Sequence, residues 1–330
     1  MNQQETRKTI ALGKTGPQVF PLGLGCMGLS GMYGPADETE GIRTIQAAID
    51  HGVTLFDTGD FYGMGHNEML LGRALEGRRD RVQLSVKFGA LRGPDNGWIG
   101  FDARPAAVKN FAAYSLKRLK VDVIDVYRPS RLDQSVPIED TIGAIAELVQ
   151  AGYVRHIGLS EVGVETIRRA HAVHPIVDLQ IEYSLATRGP EARIFPVLDK
   201  LGISATLYGV FARGLLTGST PKGAGDFRNY LPRFSGDNAG QNRGVVQAIS
   251  AFANERGMTP AQLAVAWVRA KTPGYVALVG AKTRAQLADA LALKPLRPAD
   301  VAALEALVPS DAVAGTRYGA EQMRHLDSER

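Results

Sequence analysis

Short apolar runs recur along the chain and alternate with longer stretches whose apolar positions return every three or four residues. Residues 20–25, 53–57, 82–87, 123–127, 154–160, 176–181, 203–207 and 275–279 are rich in β-forming side chains and read as strands. Residues 39–51, 105–119, 138–151 and 164–174 carry the spacing of amphipathic helices. Several of the strands are apolar almost throughout rather than alternating, as expected where helices cover a parallel sheet on both faces. Eight strands in strict alternation with helices predict a closed (β/α)8 barrel in preference to an open doubly wound sheet. Residues 9–12 and 18–20, joined through Gly13-Lys14-Thr15-Gly16-Pro17, predict a short hairpin plugging the bottom of that barrel, and a helix is expected near the C-terminus. No linker or shift in composition divides the chain, so residues 1–330 read as one domain.

Composition narrows the partners. With 45% apolar content, 330 residues can bury a full core, and a net charge of +4 made of interspersed acids and bases argues against a nucleic-acid surface. The single cysteine, Cys26, excludes an intrachain disulfide and suits a reducing compartment. The polar start MNQQETRKT is unlike a signal peptide, and no apolar run approaches membrane-spanning length, so a cytoplasmic protein is expected. The histidines His171 and His174 lack the acidic or cysteine partners of a zinc site, and no metal is expected.

In such a barrel the chemistry gathers at the C-terminal ends of the strands. Strand two ends in FDTGDFYG, strand three in SVKFG, strand four in YRPSR and strand five in IGLSE. Asp57 and Lys87 each terminate an apolar run that has no other use for a charge, and Tyr62 follows five residues after Asp57 on a glycine-flanked loop. A buried carboxylate beside a lysine is tolerable only if the two pair, and the lysine is expected to lower the pKa of a nearby phenol. Beyond strand eight, Thr283 and Gln286 have capping-box spacing, so a helix should begin there with free N–H groups facing an anion, flanked by Lys282 and Arg284. Residues 218–242 are polar, rich in Gly and Pro, and long for a barrel loop, which reads as a lid with Phe227, Tyr230 and Phe234 as its apolar contacts.

The segments FDTGDFYGMGHNEMLLGRAL, LSVKFG and VRHIGLSE, together with LGLGCMGLSGMYG and VGAKTRAQLADAL, resemble the aldo-keto reductase family over nearly the whole chain. The resemblance implies an NADPH-dependent reductase of aldehydes or ketones with Tyr62 as general acid, tuned by Lys87 and Asp57. It implies that Ser160, Glu161 and Gln180 hold the nicotinamide amide, that Tyr208 stacks under the nicotinamide, and that Gly209, Phe211 and Arg213 line the pyrophosphate. Gly280, Lys282, Arg284, Gln286 and Asp289 would surround the 2′-phosphate and adenine. Two departures stand out. VYRPSRLD puts Ser130 where the family pattern LYYxHRxD has a histidine, with Arg128 either compensating as a charged donor or, like Arg131, making a surface salt bridge. Glu161 stands where asparagine is usual. Two other readings remain: a Schiff-base lyase using Lys87, and a cofactor-binding regulatory subunit with slow turnover.

Overall fold

The structure is a computed structural model that describes residues 9–330. Strands β1 (Ile10–Ala11) and β2 (Gln18–Val19) form the expected antiparallel hairpin. Its side chains Leu12 and Val19 pack against Leu55, Val126, Val177 and Val276 and close one end of the barrel. Gly13 lies so close to the wall, at a φ of 65°, that a Cβ there would stand 2.4 Å from the carbonyl oxygen of Val177.

Eight parallel strands then close on themselves as the patterning predicts: β3 (Leu22–Gly25), β4 (Leu55–Gly59), β5 (Gln83–Phe88), β8 (Ile124–Pro129), β9 (Val154–Ser160), β10 (Ile176–Glu182), β11 (Ser204–Tyr208) and β12 (Val276–Gly280), which pairs back onto β3. The gap in numbering is a second hairpin, β6 (Ala90–Arg92) with β7 (Trp98–Phe101), inserted after β5 and not evident from the apolar pattern. Most barrel strands run one or two residues further than their apolar runs, ending at Gly59, Phe88, Pro129, Glu182, Tyr208 and Gly280. Pro129 is the last residue of β8, where its missing N–H costs least.

The surrounding helices are α1 (Glu38–Asp50), α2 (His66–Ala74), α3 (Pro105–Leu119), α4 (Ile138–Gln150), α5 (Val164–Val173), α6 (Pro190–Arg193), α7 (Phe195–Leu201), α8 (Gly236–Asn254), α9 (Pro260–Lys271) and α10 (Arg284–Leu291). Two more, α11 (Pro298–Leu307) and the short α12 (Ala320–Arg324), end the chain. Pro105 opens α3 and Asp37 caps α1 by accepting from the N–H of Glu40 at 2.7 Å, the start signals expected of helices. Among the described residues, no helix is long and apolar enough to cross a membrane.

Above the apolar floor the barrel interior turns polar. Val126 and Arg128 alternate along β8, and Ser130 continues the alternation one residue past its end, so all three face inward. Arg128 therefore makes neither a surface salt bridge nor a donor at the cavity, which corrects both expectations for it. It is fully buried, with its guanidinium 2.9 Å from Asp178, 3.0 Å from the Ser85 hydroxyl and 3.2 Å from the Leu159 carbonyl. Thr206 donates to the same aspartate. Gly158 leaves the room: a Cβ there would lie 2.9 Å from Asp178 and 3.0 Å from the Arg128 guanidinium carbon.

Removing one member of a buried ion pair strands the other in low dielectric and costs roughly 3–5 kcal/mol, whereas replacing both by apolar groups is often neutral. Arg128→Met should accordingly lower the urea midpoint sharply, and adding Asp178→Leu should recover most of the loss. Two independent, additive losses in the double variant would contradict the pairing.

Candidate active site

Asp57 and Lys87 face each other because β4 and β5 pair in a register that puts Asp57 beside Ser85 and Gly59 beside Lys87. One carboxylate oxygen of Asp57 holds the Lys87 ammonium. The other accepts from the Ser85 hydroxyl at 2.9 Å and from the Gln180 amide at 2.7 Å. The Lys87 Nζ lies 5.1 Å from the ring centroid of Tyr62, on its face, and all three side chains are buried at the edge of one cavity. The sequence predicts an acidified phenol here, and the structure reverses that. Burial pushes the Tyr62 phenol well above the usual tyrosine range, and the nearby Asp57 carboxylate adds to the effect. Lys87 stands over the ring, but with its charge shared with Asp57 it does not outweigh burial. Burial lowers the Lys87 pKa, and Asp57 works against that loss of the proton.

The cavity has a volume of about 460 Å³. Ser130, Gln180, Tyr208, Gly209, Phe211, Arg213, Gly280, Lys282, Gln286 and Asp289 all line it with the three residues above. Ser130 is buried, and its hydroxyl has no partner. At the far end Lys282 Nζ is tied to the carbonyls of Tyr33 and Pro35 at 3.0 and 3.1 Å, while Asp289 accepts from Thr259 and Gln262. Thr283 accepts from the N–H of Gln286 at 3.3 Å as the capping spacing suggests, but the Gln286 side-chain Oε1 accepts from the N–H of Lys282 at 2.8 Å. Residues 218–242 are more ordered than a loose lid. Asp226 and Arg228 pair at 2.7 Å and bind Lys222, Ser219 and Thr220 around them. Phe227 faces the cavity, Phe234 packs in the cluster of Leu231, Tyr318 and Leu326, and Tyr230 points out to solvent.

Three of the expected cofactor residues lie off the cavity wall. Arg284 holds Glu40 at 3.1 Å on the exposed outer side. Ser160 is buried with an unpartnered hydroxyl. Glu161, at a φ of 54°, turns its carboxylate to Arg317 at 2.6 Å and to the Ser328 hydroxyl at 2.6 Å. Burial alone would raise its pKa, but the Arg317 guanidinium holds it well below the carboxylate range. This residue fastens the C-terminal segment. Glu182 does similar work at the end of β10, meeting Arg213 at 2.8 Å, Arg233 at 3.3 Å and Arg317 at 3.7 Å.

Several residues here escape a reading of apolar runs. Asp178 and Glu182 flank Gln180 at every second position of β10, the same inward-facing charge signal that marks Asp57 and Lys87. Trp98 and Phe101 reach the cavity from the inserted hairpin, and Arg317 and Tyr318 come from a segment without periodicity. Asp60 is a further buried acid on the turn that carries Tyr62. One of its oxygens accepts from the N–H of Gly89 at 3.2 Å and the other has no partner.

The Aldo/keto reductase family model matches residues 21–309. A probable aldo-keto reductase 1 from Glycine max is 42% identical over 295 residues, which is 86% of this chain and 84% of that protein. Among solved structures, the glycerol dehydrogenase from Gluconobacter oxydans superposes with a TM-score of 0.81 at 28% identity, covering 93% of this chain and 98% of that one. The holo form of an aldo-keto reductase from Bacillus halodurans gives 0.76 at 28% identity, covering 92% and 97%. The match of barrel and sequence defines an oxidoreductase barrel. The chain belongs to the aldo/keto reductase family, whose members generally use nicotinamide cofactors.

Burial raises the Asp60 pKa from 3.8 to about 7, and nearby Glu68 adds to this against the pull of the Gly89 N–H. Between those two values the folded chain keeps a proton that the unfolded chain has lost, so this group's share of stability falls as pH rises through that window. Asp60→Asn keeps the acceptor for Gly89 and removes the titration. The variant should match the parent near pH 4 and exceed it on the order of a few kcal/mol above pH 7. A thermal-melt difference that does not change with pH would contradict the buried, protonated carboxyl.

Proposed function

We propose that the protein reduces an aldehyde or ketone to the alcohol with NADPH, using Tyr62 as the proton donor. The observation that carries this reading is the convergence of Tyr62, Lys87 and Asp57 at one end of the cavity, with the Lys87 charge fixed on the face of the Tyr62 ring.

The wall fits a nicotinamide dinucleotide. The cavity is long enough to run from Tyr62 to Lys282 and Gln286, and it offers the Tyr208 ring and the amide of Gln180 near the reacting end. Lys222, Ser219 and Thr217 supply charge and hydroxyls where phosphates would lie. When bound, the cofactor supplies a hydride to the carbonyl carbon. Everything else falls to the chain. Tyr62 keeps its proton through neutral pH because burial disfavours the phenolate. A forming alkoxide is a far stronger base than any phenolate, so the proton still moves from the Tyr62 hydroxyl to the carbonyl oxygen. Lys87 then balances the charge left on the phenolate, and Asp57, Ser85 and Gln180 keep Lys87 in place. Ser130 offers one neutral hydrogen bond. Lys87 as a Schiff-base nucleophile finds no support in this geometry, since its ammonium is committed to Asp57.

Preference for NADPH over NADH rests on Lys282, which faces the cavity. Arg284 reaches a 2′-phosphate only by releasing Glu40. Loss of one charge-assisted contact costs roughly 1.5–3 kcal/mol. Lys282→Ala should therefore weaken NADPH binding by tens of fold and NADH little, with a smaller effect of Arg284→Ala. Equal weakening of both cofactors in a fluorescence titration would remove the phosphate assignment.

Steady-state NADPH oxidation with a panel of aldehydes and ketones tests the central reading. Tyr62→Phe should lower kcat by roughly 10²–10⁴-fold while leaving NADPH affinity unchanged. Ser130→Ala should cost about tenfold or less. A Tyr62→Phe enzyme of near-full activity would overturn the mechanism.

A further inference from the structure

The segment after α11 crosses the mouth of the barrel and is anchored by one buried guanidinium. Arg317 meets Glu161 at 2.6 Å, Glu329 at 2.7 Å and Glu182 at 3.7 Å. Its neighbour Tyr318 is thereby set at the same cavity that Tyr62, Ser130 and Arg131 line. The Tyr318 hydroxyl oxygen accepts from Arg131 Nη2 at 3.1 Å and lies 3.1 Å from the hydroxyl of Tyr208. The Arg213 guanidinium lies 4.4 Å from the centre of the Tyr318 ring.

A phenol both accepts and donates hydrogen bonds, with a single proton to give. Either hydroxyl of the Tyr208–Tyr318 pair can be the donor, and when Tyr208 donates beside Arg131 the Tyr318 proton is left for a group inside the cavity. We propose that Tyr318 is a second substrate-contacting donor of this site, offering its phenol to the carbonyl oxygen alongside Tyr62, with Arg131 and Arg317 as positioning residues. The proposal rests on the reductase reading above.

The two phenols differ in surroundings. Tyr62 sits beside a carboxylate, whereas Tyr318 sits among arginines. Burial pushes against the ionised form of both, but Arg213 and then Arg131 hold the Tyr318 phenol below the usual tyrosine value. A donor polarised in this way binds more strongly to an oxygen as negative charge builds on it, so its contribution grows toward the transition state. Tyr62 transfers its proton; Tyr318 retains its own and only hydrogen-bonds. Ser130, neutral and without a partner, offers a weaker bond from the strand end, so the better donor in this part of the cavity comes from the far end of the chain.

Tyr318→Phe keeps the ring, its packing on Leu231 and Leu326, and its place on Arg213, and removes only the hydroxyl. Expected are a kcat lowered roughly 10- to 100-fold, an NADPH dissociation constant changed less than about twofold, and loss of an alkaline limb expected in the parent below the ordinary tyrosine range. Arg131→Gln should keep that limb and move it to higher pH. Parent-like kcat and pH profile in Tyr318→Phe, with Tyr62→Phe inactive, would overturn the proposal and leave the reductase reading standing. Loss of activity together with NADPH binding, over an unshifted limb, would assign Tyr318 a structural role and overturn it equally. A parent chain that oxidises NADPH with no carbonyl at all would remove the reductase reading and this proposal with it.

Discussion

A carboxylate carried inside a barrel has to be met by a cation, and most of the upper half of this molecule follows from that constraint. The penalty for an isolated buried charge is far larger than any net gain from pairing it, so the pairs are obligatory even where they add little stability. Asp57 takes Lys87, Asp178 takes Arg128, and Glu182 and Glu161 share Arg213, Arg233 and Arg317. Asp57 and Asp178 stand within β4 and β10, Glu182 ends β10 and Glu161 follows β9, and their partners come from β5, β8 and three segments after β11. The pairing therefore organises the loops. Arg213 brings in the turn after β11, Arg233 the segment before α8, and Arg317 the C-terminal strap.

The same constraint sets the electrostatic character of the cavity. Where an acid and a base are matched one to one, as in Asp57 with Lys87, the neighbouring phenol feels burial more than charge. Where bases outnumber acids, as around Tyr318, the neighbouring phenol feels net positive potential. A static difference in ion-pair stoichiometry thus separates two tyrosines that line one cavity. Neither environment needs an unusual residue. Each needs only that a buried partner be committed or left over.

The barrel is legible in the sequence because each strand is a run of apolar side chains bounded by helical spacing, and that periodicity survives without tertiary context. The meeting of Asp57 and Lys87 is legible for a related reason: a charge that ends an apolar run must be met by a partner. Arg128 is not. Read as part of Arg-Pro-Ser-Arg it resembles a loop, and only its alternation with Val126 and Ser130 reveals that it points to the interior. Asp178 and Glu182 carry the same alternating signal beside Gln180 but sit in a strand so apolar that the residues pass as core. Arg317 and Tyr318 carry no local signal, because their positions depend on acids more than 130 residues earlier in the chain. The β6–β7 hairpin is short, half-exposed and rich in glycine, so its pairing depends on the barrel rim beneath it rather than on its own pattern.

Glu161 shows how a buried carboxylate beyond a strand end is put to structural use. In the position where the family pattern has asparagine, a neutral amide could face a cofactor without any counter-ion. A carboxylate in the same buried place could not, since its charge would have to be neutralised from within the protein. Arg317 meets that demand, and in doing so it draws the C-terminal segment down onto the strand ends. The positive φ of Glu161 turns its side chain away from the cavity and toward that segment. The adjacent Tyr318 lies on the cavity side, where Arg131 and Tyr208 meet its hydroxyl. A departure at the end of β9 and a tyrosine at the end of the chain are in this sense one feature, linked by a charge that the barrel could not leave alone.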